Sequence, residues 1–419
     1  MTKELRADDW ENIATGLGTD RDKGTYSEFI AGTRLTDQQC SALYHHDDLA
    51  KTIISTVPEE ALRPGWKVVC SDPDSEPKVT KVEQVLTALE ASQNLKAAWI
   101  WGRAFGGGAI LLGATGSGPP QAPLVEERVK SIDFLTVLDK RDLHPFSFYG
   151  DPFKPKFGQV ETYQLNQYAL GVTPTPLVII HETRLVLFGG ALTARQEKLN
   201  NNLWDHSVLQ PVINVLRKSN TVLDSVAAMM NDASQGVYKL QGLIDGLSEE
   251  DNGVLQTRMA VMDKMRSITR AIILDADTED YKLVERQTLS GMAEILDRTV
   301  LRVASAARMP VTILMGQSPA GMNATGEADL RWFANSVKAA QTDVLKPRLL
   351  RLLKLVVKVT FPQDDVDRWD VEFCNLFEPT AVERAIIDKT EAETAQIRAA
   401  IARPDSVLPR NQDLGTVLA

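Results

Sequence analysis

Cysteine is scarce in this sequence, and its pattern excludes a cysteine-based metal site. The 419 residues include only Cys40, Cys70 and Cys374. No two of them have the short spacing by which zinc ligands are recognised. An odd and sparse cysteine count is typical of proteins that fold in a reducing cytoplasm. We therefore expect assembly in such a compartment.

Long apolar runs and an excess of positive charge are also absent. No apolar run approaches the roughly 20 residues of a membrane span, and the N-terminal MTKELRADDWEN lacks the apolar core of a signal peptide. The net charge of −10 argues against a protein that coats nucleic acid, which needs a basic face. A channel through which DNA slides is not excluded, because an acidic or neutral wall avoids adhesion.

The motifs of common enzymes are missing as well. Gly-Lys never occurs, so there is no Walker A loop, and neither Gly-x-Ser-x-Gly nor His-Glu-x-x-His appears. The run from His45 to Asp48 holds ligand-type side chains, but adjacent helix positions do not face each other. We interpret that run as a helix surface. The sequence predicts no catalytic residue, no metal and no cofactor.

The stretch from residue 286 to 358 is the most informative part of the chain. Apolar residues at a spacing of three to four predict a helix with one buried stripe: Leu289, Met292, Leu296, Val300 and Val303. Glu294, Arg298 and Arg302 lie on another face, and Pro310 is expected to end the helix. A glycine-punctuated loop follows, and a second helix begins near Glu327.

The second helix carries a proline inside its apolar pattern. Its predicted core side begins at Leu330 and ends at Val356. Pro347 falls within that pattern, so we predict a kink at this residue.

Three consecutive glycines, residues 106 to 108, allow two interpretations. One is a phosphate-cradling loop, but a strand-like run, Ala109–Leu112, follows them in place of a helix. The other, which we favour, is a turn that enters a buried strand. Strand-like segments continue at residues 132–138, 159–165, 177–180 and 184–188, so the first part of the chain is predicted to be a mixed helix and sheet domain.

Residues 236–285 form an acidic insert between two long helical segments. Its acids are Glu249, Glu250, Asp251, Asp275, Asp277, Glu279 and Asp280. The alternation from Asp275 to Asp280 is similar to the start of a calcium loop, but the central glycine and the distal glutamate are missing. We favour a solvated or partner-facing acidic turn over a metal site.

Four segments, in their order along the chain, resemble the portal proteins of tailed bacteriophages. They are IWGRAFGGGAILLG, IIHETRLVLFGG, LWDHSVLQPVINVL and MPVTILMGQSPAGMNATGEADLRWF. The resemblance extends from about Leu43 to Ala400. It implies an α+β portal fold with an α/β wing, a two-helix stem, an α/β clip, a long kinked helix and a short helical crown.

The resemblance also implies a division of the chain into seven parts. They are an N-terminal arm and wing (1–205), stem helix 1 (206–235), clip (236–285), stem helix 2 (286–310), tunnel loop (311–327), kinked wing helix (328–362) and a short crown (363–419).

The implied function is a ring of twelve subunits at one capsid vertex, through which the genome is packaged and ejected. Its implied partners are the terminase large subunit, head–tail adaptor or neck proteins, the major capsid and scaffold proteins, and double-stranded DNA, with no membrane. The loop is expected to touch DNA through Gln317, Ser318, Gly321, Asn323 and Thr325. Arg298, Arg302 and Arg308 are expected to contact either phosphates or acidic residues of a neighbouring subunit, and we favour the second because Glu294 and Asp297 are nearby. The acidic insert is expected to dock the terminase.

Two alternatives remain open from the sequence. The first is a phage enzyme that acts on nucleic acid, which needs a convergent carboxylate or histidine cluster. The second is a structural adaptor without a DNA channel. A ring with a central hole in electron micrographs distinguishes the portal from both.

Overall fold

The computed structural model describes residues 34–72, 75–166, 178–231, 234–240, 279–285, 291–316, 326–376 and 381–401. Within these ranges the fold is α+β. Helices form the centre, and small antiparallel sheets pack around it or project from it.

The N-terminal part is helical. Its helices are α1 (Asp37–His46), α2 (Asp48–Leu62), α3 (Glu76–Ala88) and α4 (Ala91–Phe105). The apolar spacing of the sequence predicts one helix from residue 36 to 58, and this prediction is wrong, because Asp47 adopts an extended conformation between α1 and α2. Its carboxylate accepts a hydrogen bond from the Ala50 N–H (2.8 Å), so the residue caps the second helix. The same kind of spacing predicts one helix from residue 82 to 101, and this is also wrong, since left-handed Glu90 (φ 51°) separates α3 from α4.

Two three-stranded antiparallel sheets follow. The strands are β2 (Gly107–Thr115), β3 (Ser131–Asp139), β4 (Leu143–Phe148), β5 (Val160–Leu165), β6 (Ile179–His181) and β7 (Leu185–Gly189). One sheet has the order β3-β2-β7 and the other β4-β5-β6. The four predicted strands are confirmed as β3, β5, β6 and β7 with small shifts of their ends. Strand β4, which contains Pro145, escaped prediction because proline is unfavourable in strands.

A two-stranded sheet joins distant parts of the chain. Strand β1 (Trp66–Cys70) pairs antiparallel with β10 (Trp369–Phe373), with Trp66 opposite Phe373. The sequence predicts strands at 66–70 and 369–373, and both are confirmed at these bounds. The indole of Trp369 is buried and stacks on Phe361. Residues 369–373, assigned to the crown from the sequence, therefore pack with the N-terminal part of the chain.

The long helical element that follows the loop lies in the main core. Helix α9 (Gly326–Ala340) continues through a π-helical turn (Gln341–Leu345) into α10 (Lys346–Thr360). The predicted core side is confirmed where burial is complete, at Phe333, Val337, Leu345, Leu349, Leu352 and Val356.

The π-helical turn ends two residues before Pro347. The Lys346 N–H bonds to the Gln341 carbonyl, five residues back, which widens the turn where the proline ring meets the preceding carbonyls. The Arg348 guanidinium donates to the Val344 carbonyl (2.6 Å) and to the Leu187 carbonyl in β7 (2.7 Å). The helix is thus irregular over residues 341–345 and is tied there to the sheet, while the kink at Pro347 stays a prediction.

Candidate functional site

Two helices form a stem beyond the main core. Helix α6 (Ile213–Asn231) packs against α7 (Met292–Ala307), and at 1.5 Å per residue they are about 28 and about 24 Å long. The apolar spacing of the sequence predicts helix α6 from residue 207 to about 233, with Pro211 in its first turn. The predicted start is wrong. Residues 208–212 form turns, so Pro211 precedes the helix and does not lie in its first turn.

Burial changes along the stem. At its base Ile213, Leu216, Val303 and Ala304 are buried. Other large apolar side chains of the stem are exposed: Leu223 by 49%, Ile295 by 56% and Leu301 by 45%.

The predicted buried stripe of the second stem helix is therefore wrong for most of its length. Within α7 only Val303 of that stripe is buried, and Met292, Leu296 and Val300 are half-buried. Leu289 lies outside the described residues. The reason is physical, because two helices alone cover only one side of each other.

The charged face of the stem is exposed. The Arg298 guanidinium lies 3.0 Å from the Glu294 carboxylate, one helical turn away, with both side chains at least 70% exposed. Such a pair stabilises a helix by only a few tenths of a kcal/mol. Arg302 and Arg308 are exposed too. The predicted alternatives for these arginines, DNA or a neighbouring subunit, both require accessible side chains.

The stem ends at a left-handed residue and not at the proline. Arg308 has φ 53° and caps α7 by donating its N–H to the Ala304 carbonyl. Pro310 then precedes a short helix, α8 (Val311–Met315). The predicted loop is expected to begin at residue 311, but residues 311–315 are helical, so the loop begins later. The five predicted DNA-contact residues, 317, 318, 321, 323 and 325, lie outside the described residues.

A two-stranded ribbon continues the stem. Strand β8 (Ser234–Leu240) pairs antiparallel with β9 (Glu279–Glu285), with Lys239 opposite Asp280. The predicted acidic turn is wrong at its end, because Glu279 and Asp280 belong to a strand. The other acids of the insert, at residues 249, 250, 251, 275 and 277, lie outside the described residues.

Comparisons with known proteins identify the family. The family model described as phage portal protein matches residues 38–397. The chain belongs to the phage portal protein family. This agrees with the resemblance found in the sequence.

Two curated relatives and one solved structure are similar to this portal-family chain. Two proteins named anti-CBASS protein Acb1 are 30% identical over 398 residues (Sphingomonas paeninsulae) and 27% identical over 423 residues (Caulobacter sp. strain RHG1). The alignments include 92% and 97% of this chain but 61% and 65% of the relatives, so the chain spans under two thirds of their length. A chain from the neck of an empty gene transfer agent (GTA) particle, computed with C6 symmetry, has a TM-score of 0.50 at 13% identity. That match includes 90% of this chain and 92% of the other, and it shows a shared fold.

The three glycines of this portal-family chain have a packing role. A Cβ atom on Gly106 would lie 1.9 Å from the Asp205 carbonyl oxygen, and one on Gly190 would lie 2.1 Å from the His206 carbonyl oxygen. A Cβ on Gly107 would enter the ring of Trp204. The segment around residue 205 thus fills the space above these glycines, and β2 follows them. The interpretation as a turn into a buried strand is confirmed.

The segment from His181 to Arg184 also has structural partners. The His181 Nδ1 accepts a hydrogen bond from the Thr183 N–H (3.2 Å), and burial lowers the pKa of the imidazole. The buried Arg184 guanidinium donates to the Ser117 hydroxyl (2.8 Å) and to the Ala122 carbonyl (3.1 Å). These bonds hold the loop between β2 and β3, and burial lowers the pKa of the guanidinium.

The described ranges contain no cluster of side chains that could bind a metal ion. No group of three His, Cys, Asp or Glu side chains converges there. His45 and His46 are exposed at the end of α1, in agreement with the predicted helix surface. Among the helices that the structure describes, none has the length and apolarity needed to cross a bilayer.

Proposed function

We propose that this chain assembles into a closed ring at one vertex of a phage capsid and forms a channel for DNA. The observation that carries the proposal is the apolar surface of the stem. Leu223, Ile295 and Leu301 are about half exposed on the two stem helices, whose main packing contact within the described residues is with each other. Full burial of such a side chain contributes about 1.5–3 kcal/mol. Because the chain belongs to the portal family, we propose that another copy of the chain buries these side chains.

A ring follows when each subunit contacts its two neighbours through two different surfaces. The stem of one subunit contacts a different face of the next stem, and such heterologous contacts close at a fixed rotation. We propose twelve subunits, with stem helices around the channel and the segment between α8 and α9 directed at the DNA. Polar side chains at residues 317, 318, 323 and 325 hydrogen-bond phosphates without a standing charge. This suits contact without trapping.

The proposed roles include docking and delivery. The acidic insert binds the terminase large subunit during packaging and the neck proteins afterwards, while the wing contacts capsid and scaffold proteins. The chain has no catalytic activity of its own in this proposal, so the terminase hydrolyses ATP. The ring is assembled in the host cytoplasm and remains in the virion.

The test compares assembly of the wild type with that of Ile295→Asp and Leu301→Asp. We expect native mass spectrometry and electron microscopy to show rings with a hole about as wide as duplex DNA for the wild type and mostly monomers for the variants. Phe153→Asp is the matched control, since Phe153 is 96% exposed outside the stem. A wild-type protein that stays monomeric, or stem variants that assemble normally, would overturn the proposal.

A second test addresses the acidic insert. Replacing Glu249, Glu250 and Asp251 by the corresponding amides should weaken binding of the terminase large subunit and leave ring formation unchanged. The readouts are co-sedimentation with the terminase and DNA packaging in vitro. Unchanged packaging removes the docking role from these residues.

A further inference from the structure

An open cavity of about 520 Å³ lies beside the second sheet, and no residue of the stem helices is in its lining. It is formed by β4, by the turn before β5, and by α5 (Arg195–Asn200) with the residues that follow it. Its lining consists of His144, Pro145, Phe148, Gly158, Arg195, Leu199, Asn202 and Leu203. The cavity has both an apolar wall and a positive charge.

The surface around this cavity is unusually apolar for exposed surface. Phe148 and Leu199 in the lining are 49% and 50% exposed. Phe146, Phe157 and Leu192, close to the lining residues in sequence, are exposed by 51%, 43% and 98%. Apolar patches of this kind mark sites where another segment binds.

The charge in the cavity comes mainly from Arg195. Its guanidinium lies 5.8 Å from the centre of the Phe157 ring and lies against Gly158, where a Cβ would be 2.8 Å from Nη2. Within the described ranges no carboxylate forms an ion pair with it. A guanidinium fixed on an aromatic ring favours an acidic group in the segment that binds here.

The described chain begins next to this cavity. The Arg34 guanidinium donates to the Asn200 carbonyl (2.8 Å), and the neighbouring Leu35 is buried in the main core. Leu199 and Asn202, which flank that carbonyl in sequence, line the cavity. The described part of the chain therefore begins at the edge of the cavity.

The sequence just before Arg34 has the complementary composition. Tyr26-Ser27-Glu28-Phe29-Ile30 combines aromatic and aliphatic side chains with one carboxylate. An extended chain spans up to about 3.5 Å per residue, so Phe29 reaches up to about 17 Å from Arg34. Residues 1–33 contain seven acidic and four basic side chains, a balance that suits a cavity whose charge is positive.

We infer that residues 26–30 bind in the cavity of their own chain, with Phe29 and Ile30 against Phe148 and Leu199 and the Glu28 carboxylate beside Arg195. The N-terminal segment thereby covers the apolar surface between β4 and α5. This contact lies within one chain, so it does not depend on ring formation.

A disulfide experiment on the full-length chain tests the contact directly. We expect Phe29→Cys together with Leu199→Cys to form an intrachain disulfide under mild oxidation, identified by mass spectrometry of the linked peptides. The matched control pairs Phe29→Cys with Leu223→Cys, because Leu223 on the stem is 49% exposed. A disulfide between two chains, which indicates binding to a neighbouring copy, overturns the inference, and so does a yield no higher than that of the control.

Hydrogen exchange gives a second readout that needs no cysteine. We expect the amides of residues 26–30 to exchange at least about tenfold more slowly than an unstructured peptide, and Leu199→Asp to remove this protection. Phe134→Asp, at a 53% exposed site outside the cavity, should leave it in place. Absence of protection in the wild type, or equal effects of both variants, overturns the inference.

Discussion

Replacement of Gly106 by alanine is expected to destabilise the protein strongly for two separate reasons. The backbone conformation is unfavourable for alanine, and there is no space for its Cβ atom. Its φ of 87° lies in the left-handed region, where a side chain costs about 1–2 kcal/mol. A Cβ there would also lie 1.9 Å from the carbonyl oxygen and 2.6 Å from the carbonyl carbon of Asp205. These are backbone atoms, so the segment itself must move.

Gly118 separates the two costs. Its φ of 88° is nearly the same, but nothing lies within 4 Å of a Cβ built on it. Gly118→Ala therefore measures only the free energy lost through the left-handed conformation. This loss is reduced by up to about 1 kcal/mol, because alanine restricts the unfolded chain more than glycine does. Overpacking adds about 1–3 kcal/mol, so we expect Gly106→Ala to lose about 1–3 kcal/mol more than Gly118→Ala.

The assay is urea unfolding followed by far-ultraviolet circular dichroism at one protein concentration. A loss of this size is a large part of the 5–15 kcal/mol that is typical of a folded protein. Equal losses in the two variants would refute the packing argument. Stabilisation of the wild type by inorganic phosphate, removed by Gly106→Ala, would favour the rejected phosphate loop.

Three further predictions concern hydrogen bonds and charge. Gln341→Leu should cost about 1–3 kcal/mol in urea unfolding, because the buried amide donates to a carbonyl at the end of α2 (2.7 Å) that would lose its partner. Burial lowers the pKa of His181, so the unfolded chain binds the proton first and stability falls as pH drops below about 6.5. His181→Asn, which keeps an acceptor for the Thr183 N–H, should flatten that decline, and an unchanged pH profile contradicts this. Arg298→Ala should change stability by about 0.5 kcal/mol or less, since its pair with Glu294 is exposed; loss of rings in native mass spectra would then reveal a contact between subunits.

Strand positions could be predicted from the sequence, but strand pairing could not. The bounds of β1 and β10 follow from short runs of strand-forming residues between turn signals, which is local information. Their pairing joins Trp66 to Phe373 across most of the chain, and nothing in either run specifies the partner. Pairing depends on how α3 and α10 pack, which is a property of the whole fold.

Single residues end the helices at positions that the spacing of apolar residues does not predict. The apolar spacing continues across Asp47 and Glu90, so it predicts unbroken helices. The structure interrupts them because the Asp47 carboxylate caps the next helix and Glu90 adopts a left-handed conformation. A capping side chain is visible in a sequence, but its competition with helix continuation is settled by packing.

The sequence by itself determined the family, through four ordered segments, and the presence of amphipathic helices, because spacing along a helix is a local property. Only the tertiary structure decided which apolar faces are buried. In the stem the same spacing yields a buried Val303 but only half-buried Met292, Leu296 and Val300, since burial depends on which other elements are near. The physical reason is that an apolar stripe indicates only that a helix face packs against another surface. Which surface that is depends on the fold or on another chain.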